Sequence, residues 1–424
     1  MAMADVGAVI VGAGIAGLAA GLELQESVRE VFVVDAGDRP GGVMRTDHVS
    51  GYVIERGPNT LQIKAPLLRL LDRLGLRDAL QAAQPASRLR FVHRNRELLP
   101  VPLSPVGFAR TRLLSTRAKL RLLSEPLRFR RDATGESVAA FAGRRFGSEA
   151  VANLIGPFLT GVYAGDENEL GAEAVLGGMV DLERRFGSIA IGLVATALAR
   201  RRERGLAGTY SALQGLGPFA RRLAERLFDP PALGARVVGL ARDGALWRVS
   251  VASASGESEM RTPRVVIATG AHEAAGLLRG ACPELADALA GIAYAPIVGI
   301  AVGVDPARVA RKIEGFGFLV PRDQEIPLLG CLFMSQLFPG RAPAGRELLH
   351  CMLGGRRYPE AIDLSDDVLH KRVHADLRQD KTRSSNTVVS CLTSTLLMMS
   401  CCMVTDSTGY FPAALSAESI TKKQ

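Results

Sequence analysis

The sequence predicts an α/β chain that opens on a Rossmann-like dinucleotide-binding unit. Three observations carry this expectation. A buried apolar run, Val6–Val11, leads straight into the turn Gly12-Ala13-Gly14-Ile15-Ala16-Gly17. A segment of helical period follows from Ile15 to about Gln25. A second apolar run, Val31-Phe32-Val33-Val34, ends on Asp35. Strand, turn, helix, strand and acid in that order are the opening of a βαβ unit.

Each glycine of the turn has its own physical reason. Gly12 permits the tight bend from strand to helix. Gly14 lets the backbone approach a diphosphate without a Cβ in the way, and Gly17 lets the helix pack close to the sheet. Ala13, Ile15 and Ala16 complete the turn. The helix N-terminus offers free N–H groups and the positive end of its dipole to phosphate oxygens. Asp35, with Ala36 beside it, sits where an acid grips a ribose hydroxyl.

The rest of the chain divides by texture. At 424 residues it is too long for one ordinary core and suggests two or three domains. Hydrophobic residues make up 47% and charged residues 22%, a globular balance. Leu67–Leu80 reads as a short helix. Phe108–Arg131 is Leu-rich and basic, with Glu125 its only acid, and Ser137–Leu206 is helical in texture. Gly205–Gly217 reads as a linker or return segment. Arg236–Leu240 and Leu246–Val251 read as a hairpin around Asp243-Gly244. Val265–Thr269 is a buried strand. Ile297–Val304 and Phe316–Val320 alternate and suggest a sheet in another domain. From about Gln379 Arg and Gly nearly vanish, and Ser, Thr, Cys and Met take over.

The net charge of +9 fits nucleic acid, an anionic membrane surface or an acidic small molecule. A single Trp and the lack of aromatic-basic interleaving speak against nucleic acid. Cys282, Cys331, Cys351, Cys391, Cys401 and Cys402 have no zinc-site spacing, so no metal is expected. They read as reduced thiols of a cytoplasmic protein. Ser188–Ala199 is too short to span a bilayer, and Val388–Val404 is diluted by Ser and Thr.

Arg39-Pro40-Gly41-Gly42 followed by Arg45-Thr46, then Gly57-Pro58-Asn59-Thr60, is similar to the second signature of the FAD-dependent amine oxidase and phytoene desaturase superfamily. Gly161-Val162-Tyr163-Ala164-Gly165-Asp166 with Glu169-Leu170, Leu182–Ser188, Gly315–Pro321, Leu337–Arg341 and Met352–Gly355 resemble five ordered segments of its porphyrinogen oxidases. The resemblance runs from residue 6 to about 378.

That resemblance implies FAD and a Rossmann-like FAD-binding domain at 1–87 and 205–285. It implies a mixed-sheet substrate-binding domain at 88–99 and 286–378, and a helical membrane-associating domain at 100–204. Residues 379–424 would be an unrelated or disordered tail. Arg39, Gly42, Val43, Gly57, Pro58, Asn59, Thr60 and Val237 would join the glycine turn around FAD. Arg88 would clamp a substrate propionate, with Arg90 two residues away left open, and Phe316, Gly317 and Met352 would line the macrocycle's pocket. The activity implied is removal of six electrons from protoporphyrinogen IX or coproporphyrinogen III, with O₂ reoxidising the flavin. No side chain is assigned as catalytic, because the flavin carries the chemistry. A peripheral membrane surface and a homodimer stay open as partners. The family's C-terminal return to the FAD domain is not found after Arg378, so weakened FAD retention is expected. Another oxidase of the superfamily and a non-catalytic homologue are the alternatives.

Overall fold

The computed structural model describes residues 3–128, 135–199, 206, 208–308, 313–324, 326–378 and 390–394. Ala8–Val11 is buried at every position, because it lies between Val31–Val34 and Val265–Ile267 in an all-parallel sheet. Continuous apolar strands suit a parallel sheet covered on both faces. On one face Leu18 and Leu22 of the helix Ile15–Leu24 pack on Ile10 and Val33. The helices Ala65–Arg73 and Leu216–Ala224 complete that layer. On the other face Val9, Val11 and Val34 meet Val237, Val249 and Val251. These belong to a four-stranded sheet in the order Met3–Asp5, Gly256–Thr262, Leu246–Ser253, Arg236–Asp243. Its hairpin turns at Gly244, whose φ of +65° is free of strain only for glycine.

The segment read as a linker at 205–217 carries a strand, Tyr210–Ala212, paired with Leu80–Ala82. Glycine richness concealed it, since a three-residue strand leaves little periodicity to detect.

A seven-stranded sheet forms the second unit. Its order is Ser390–Ser394, Ile297–Val304, Glu347–Gly354, Leu328–Phe333, Gly317–Leu319, Arg90–Arg94, Glu97–Pro100. Every pair is antiparallel except Gly317–Leu319 with Arg90–Arg94. Although Ile297–Val304 reads as alternating, all eight of its residues are buried. Both faces are covered. Val298, Ile300 and Val302 lie under Leu369, Val373 and Leu377 of the helix Asp366–Arg378. Ala301 and Leu348 meet Tyr52, Ile54 and Phe338 on the opposite face, toward the N-terminal unit. Ser390–Ser394 extends this sheet beyond the boundary read at residue 378. The remainder of Val388–Val404 lies outside the described residues, as do Cys401 and Cys402.

Between these units runs a helical stretch that includes Thr116–Leu123, Val138–Phe146, Gly156–Tyr163, Ala172–Phe186 and Ile189–Ala199. A buried ion cluster joins its parts. Arg145, 1% exposed, donates to Glu183 at 2.5 Å and to Glu125 at 3.2 Å. Glu125 also accepts from Ser188 Oγ and from the amides of Ile189 and Ala190. The lone acid of the basic stretch thus caps a helix N-terminus, where negative charge is favoured. Among the described residues no helix is long and apolar enough to cross a membrane.

Candidate functional site

The glycine turn sits where the sequence places it, and an added Cβ separates its three roles. At Gly12, with φ +106°, the Cβ would lie 2.7 Å from the Ala268 carbonyl oxygen. At Gly17 it would lie 1.8 Å from the Gly12 carbonyl oxygen. At Gly14 it would meet nothing within 4 Å. Gly12 and Gly17 are therefore required by the fold, whereas Gly14 borders open space at the start of the Ile15–Leu24 helix. No side chain caps that helix and its first turn carries no acid. Its amides are left for an anion.

The second glycine loop lies against the first. The Gly41 amide donates to the Ala13 carbonyl at 2.8 Å, and Gly42, with φ +56°, comes so near that its Cβ would be 3.1 Å from Gly14 Cα. Arg39 braces this loop, donating to the carbonyls of Gly42 at 2.8 Å and Met44 at 3.1 Å. Its guanidinium thus serves the loop's shape. Asp35 accepts from the amides of Ala13 at 2.5 Å and Gly37 at 2.6 Å, so its carboxylate also holds the turn. Ala36 is exposed beside it.

Gly57 passes beneath exposed Val43, where a Cβ would be 2.0 Å from the Val43 carbonyl oxygen. Pro58, Asn59 and Thr60 follow, half-buried. Asn59 Oδ1 is buried without a hydrogen-bond partner, an orphan acceptor of the kind a bound group satisfies. Val237 differs from its expected neighbours: its side chain is buried in the core between the two sheets, leaving only backbone for a ligand. Open space at Gly14, uncapped helix amides and the orphan at Asn59 together fit the diphosphate and ring of FAD.

The sheet face toward this unit carries the other candidates. Register aligns Arg90, Gly317, Leu332, His350 and Ala301 in one row across five strands. The next row runs Val92, Leu319, Gly330, Met352, Gly299. The Arg90 guanidinium lies 4.8 Å from the centroid of the half-buried Phe316 ring. Arg88 ends the turn Pro85–Arg88, is exposed, and has no described partner. Arg90 is exposed as well. Gly317, with φ +142°, is fixed by the sheet, since its Cβ would be 2.0 Å from the Cys331 carbonyl oxygen. Met352 is half-buried beside Ala164, Ile297 and Leu329.

His350 and the pairing of Glu55 with Arg341 were not read from the sequence. His350 is 5% exposed, and burial lowers its pKa to about 4. Its period-two spacing from Met352 was the available signal. Glu55 and Arg341 form a buried pair at 2.6 Å. Arg341 adds Ser211 Oγ at 2.6 Å and the Ala212 carbonyl at 3.2 Å. Glu55 also accepts from the Leu216 amide at 3.0 Å and Thr46 Oγ1 at 2.7 Å. The pair ties the loop after the second sheet's helix Met334–Leu337 to the cofactor side. Among the described residues no His, Cys, Asp and Glu gather as a metal site.

Comparison with known proteins gives the same frame. Residues 15–395 match the family described as flavin containing amine oxidoreductase. The chain is 33% identical over 402 residues to the chloroplastic protoporphyrinogen oxidase of Nicotiana tabacum, covering 89% of this chain and 72% of the relative. It is 27% identical over 408 residues to the coproporphyrinogen III oxidase of Bacillus subtilis (strain 168), covering 91% and 85%. A crystal structure from Exiguobacterium sp. 255-15, assigned by name to protoporphyrinogen oxidase, shares the fold with a TM-score of 0.74 at 23% identity, covering 93% of this chain and 89% of that one. The chain belongs to the flavin containing amine oxidoreductase family, among its porphyrinogen oxidases.

Proposed function

We propose that the chain is a FAD-dependent oxidase of protoporphyrinogen IX or coproporphyrinogen III that uses O₂ as electron acceptor. The observation that carries the reading is the glycine cradle, open at Gly14 and tied through Glu55–Arg341 to a sheet whose facing row starts with a cation on an aromatic ring. FAD, when bound, supplies the two-electron acceptor. Gly14 and the amides after it hold the diphosphate, and Asn59 Oδ1 receives a donor from the bound group. Arg90 pairs with a propionate, which its planar fork can grip in bidentate form. Phe316 and Met352 offer apolar surface to the macrocycle.

The domain division read from the sequence follows, with FAD at 1–87 and 205–285, substrate at 88–99 and 286–378, and membrane association at 100–204. Leu123, Leu127, Leu193, Val194 and Leu198 are exposed on the helical part, and so are the basic Arg117 and Arg128. Exposed leucines and exposed cations on one helical stretch suit peripheral binding to an anionic leaflet on the cytoplasmic side.

The test is an absorbance spectrum of the purified protein, then anaerobic addition of each porphyrinogen after FAD reconstitution. Bleaching of the flavin by a porphyrinogen supports the reading, and comparison of kcat/KM separates the two substrates. Bleaching by a polyamine alone overturns it. Co-sedimentation with anionic but not neutral vesicles tests the membrane surface.

A further inference from the structure

We propose that Cys331 and Cys351 are a modification site, at which hydrogen peroxide closes a disulfide between two strands of the larger sheet. The proposal does not rest on the oxidase reading above. That reading only adds a source of the oxidant, since O₂ that takes two electrons from a reduced flavin leaves as hydrogen peroxide.

The argument begins with register. Cys331, on the strand Leu328–Phe333, stands directly opposite Cys351, on the strand Glu347–Gly354, in an antiparallel pair. Residues opposed in this way have Cα atoms about 4.5–5.5 Å apart, inside the span that a disulfide bridges. The two side chains also meet on one face of the sheet. The Cys351 thiol donates to the Cys331 sulfur, with the two sulfurs 3.6 Å apart. Closing the bond therefore needs a shift of only about 1.5 Å.

The second observation is what surrounds the sulfurs. Both cysteines are fully buried, in the core that Leu369, Val373 and Leu377 of the helix Asp366–Arg378 cover. Hydrogen peroxide is close to water in size and enters such a site through local openings of its cover, which cost less than global unfolding. The covering helix also buries Asp376, 6% exposed, whose Oδ2 has no hydrogen-bond partner among the described residues. An unpaired buried oxygen weakens the hold of the helix on the sheet and so favours these openings. Once one sulfur is oxidised, the other is already in contact with it. Disulfide formation then outruns further oxidation to the sulfinic acid.

The chemistry balances within the pair. One cysteine, as its thiolate, attacks an oxygen of hydrogen peroxide. An S–O bond forms, the O–O bond breaks, and the leaving hydroxide takes up the thiol's proton as water. The second cysteine, as its thiolate, attacks the sulfur of this sulfenic acid. An S–S bond forms, the S–O bond breaks, and a second water leaves. Two thiols lose two electrons and two protons, and one peroxide is reduced to two waters. The bond closes a loop on the segment that carries the helix Met334–Leu337 and Arg341. Arg341 bonds Glu55, Ser211 and Ala212, so the cross-link fastens the element that ties the sheet to the cofactor side.

The experiment uses the full-length chain as wild type, as Cys351→Ala, and as a variant with Cys282, Cys391, Cys401 and Cys402 all replaced by serine. Each is reduced, freed of reductant and exposed to hydrogen peroxide in native buffer. Thiol titration, non-reducing peptide mapping and melting temperature are read before and after. The four-serine variant is expected to lose both its thiols and to yield a peptide joining Cys331 to Cys351. Its melting temperature should rise by about 3 °C, as suits a disulfide that closes a short loop in a large chain. Dithiothreitol reverses each change, and Cys351→Ala shows neither the joined peptide nor the rise. Should the four-serine variant fail to fold, the peptide map of the wild type reads the same bond. Thiols that survive peroxide overturn the proposal, and so does sulfinic acid at either cysteine in place of the cross-link. A cross-link that forms only in urea also overturns it, because the folded register would then not be its cause. A chain that cross-links yet is inert toward both porphyrinogens refutes the oxidase reading alone, and an active oxidase that does not cross-link refutes this proposal alone.

Discussion

Replacement of Arg341 by methionine should destabilise the protein by about 3 kcal/mol. Removing one partner of a buried pair costs roughly 3–5 kcal/mol, because the other charge stays behind without compensation. Arg341 is 1% exposed and Glu55 2% exposed, so neither has water to fall back on. Glu55 keeps two donors after the change, the Leu216 amide and Thr46 Oγ1, which places the loss at the lower end. Adding Glu55→Gln should recover part of the loss by removing the charge. Urea unfolding followed by the fluorescence of Trp247, the chain's single tryptophan, measures all three proteins. A loss below about 1 kcal/mol, or no recovery with Glu55→Gln, would refute the view that this is a tightly coupled buried pair.

Gly14→Ala should melt with wild-type cooperativity yet purify without yellow colour, while Gly17→Ala should fail to yield folded protein, because only the second Cβ collides with backbone; flavin absorbance and circular dichroism check both. Arg90→Ala should raise KM for a porphyrinogen about tenfold or more, in line with loss of a charge-assisted pair, and Arg88→Ala should leave it within twofold. His350 has a folded pKa of about 4, below its ordinary 6.5, so the unfolded chain binds its proton first. Stability should fall as the pH drops from about 6.5 to 4, by up to about 3 kcal/mol, and His350→Leu should flatten that limb of a melting-temperature profile. Asp376 is the opposite case. Burial raises its pKa to about 6, against the opposing pull of Arg372. Its cost appears as the pH rises from about 4 to 6, and Asp376→Asn should stabilise the protein at neutral pH by about 1 kcal/mol after allowance for solvent screening.

The cofactor half of this fold is written locally, and that is why its sequence is informative. Gly12, Gly14, Gly17 and Asp35 lie within one βαβ unit, so spacing alone places them. The seven-stranded sheet is assembled from afar. Arg90 meets Gly317 across more than two hundred residues, and no local pattern distinguishes Arg90 from Arg88. Likewise Glu55 and Arg341 are unremarkable charges until the tertiary fold buries both. Ser390–Ser394 was missed because its composition belongs to the altered C-terminal texture, and pairing with Ile297–Val304 reveals it.

The one parallel pairing in the larger sheet sets an order of assembly. Arg90–Arg94 and Glu97–Pro100 leave the ribosome as a hairpin early, but the strand they dock on, Gly317–Leu319, is synthesised far later. Until then the hairpin's inner edge has no neighbour, and closing so long a loop is slow. The corner of the sheet that carries Arg90 is therefore completed late in synthesis, and nascent chains interrupted before residue 317 would carry an open strand edge prone to self-association.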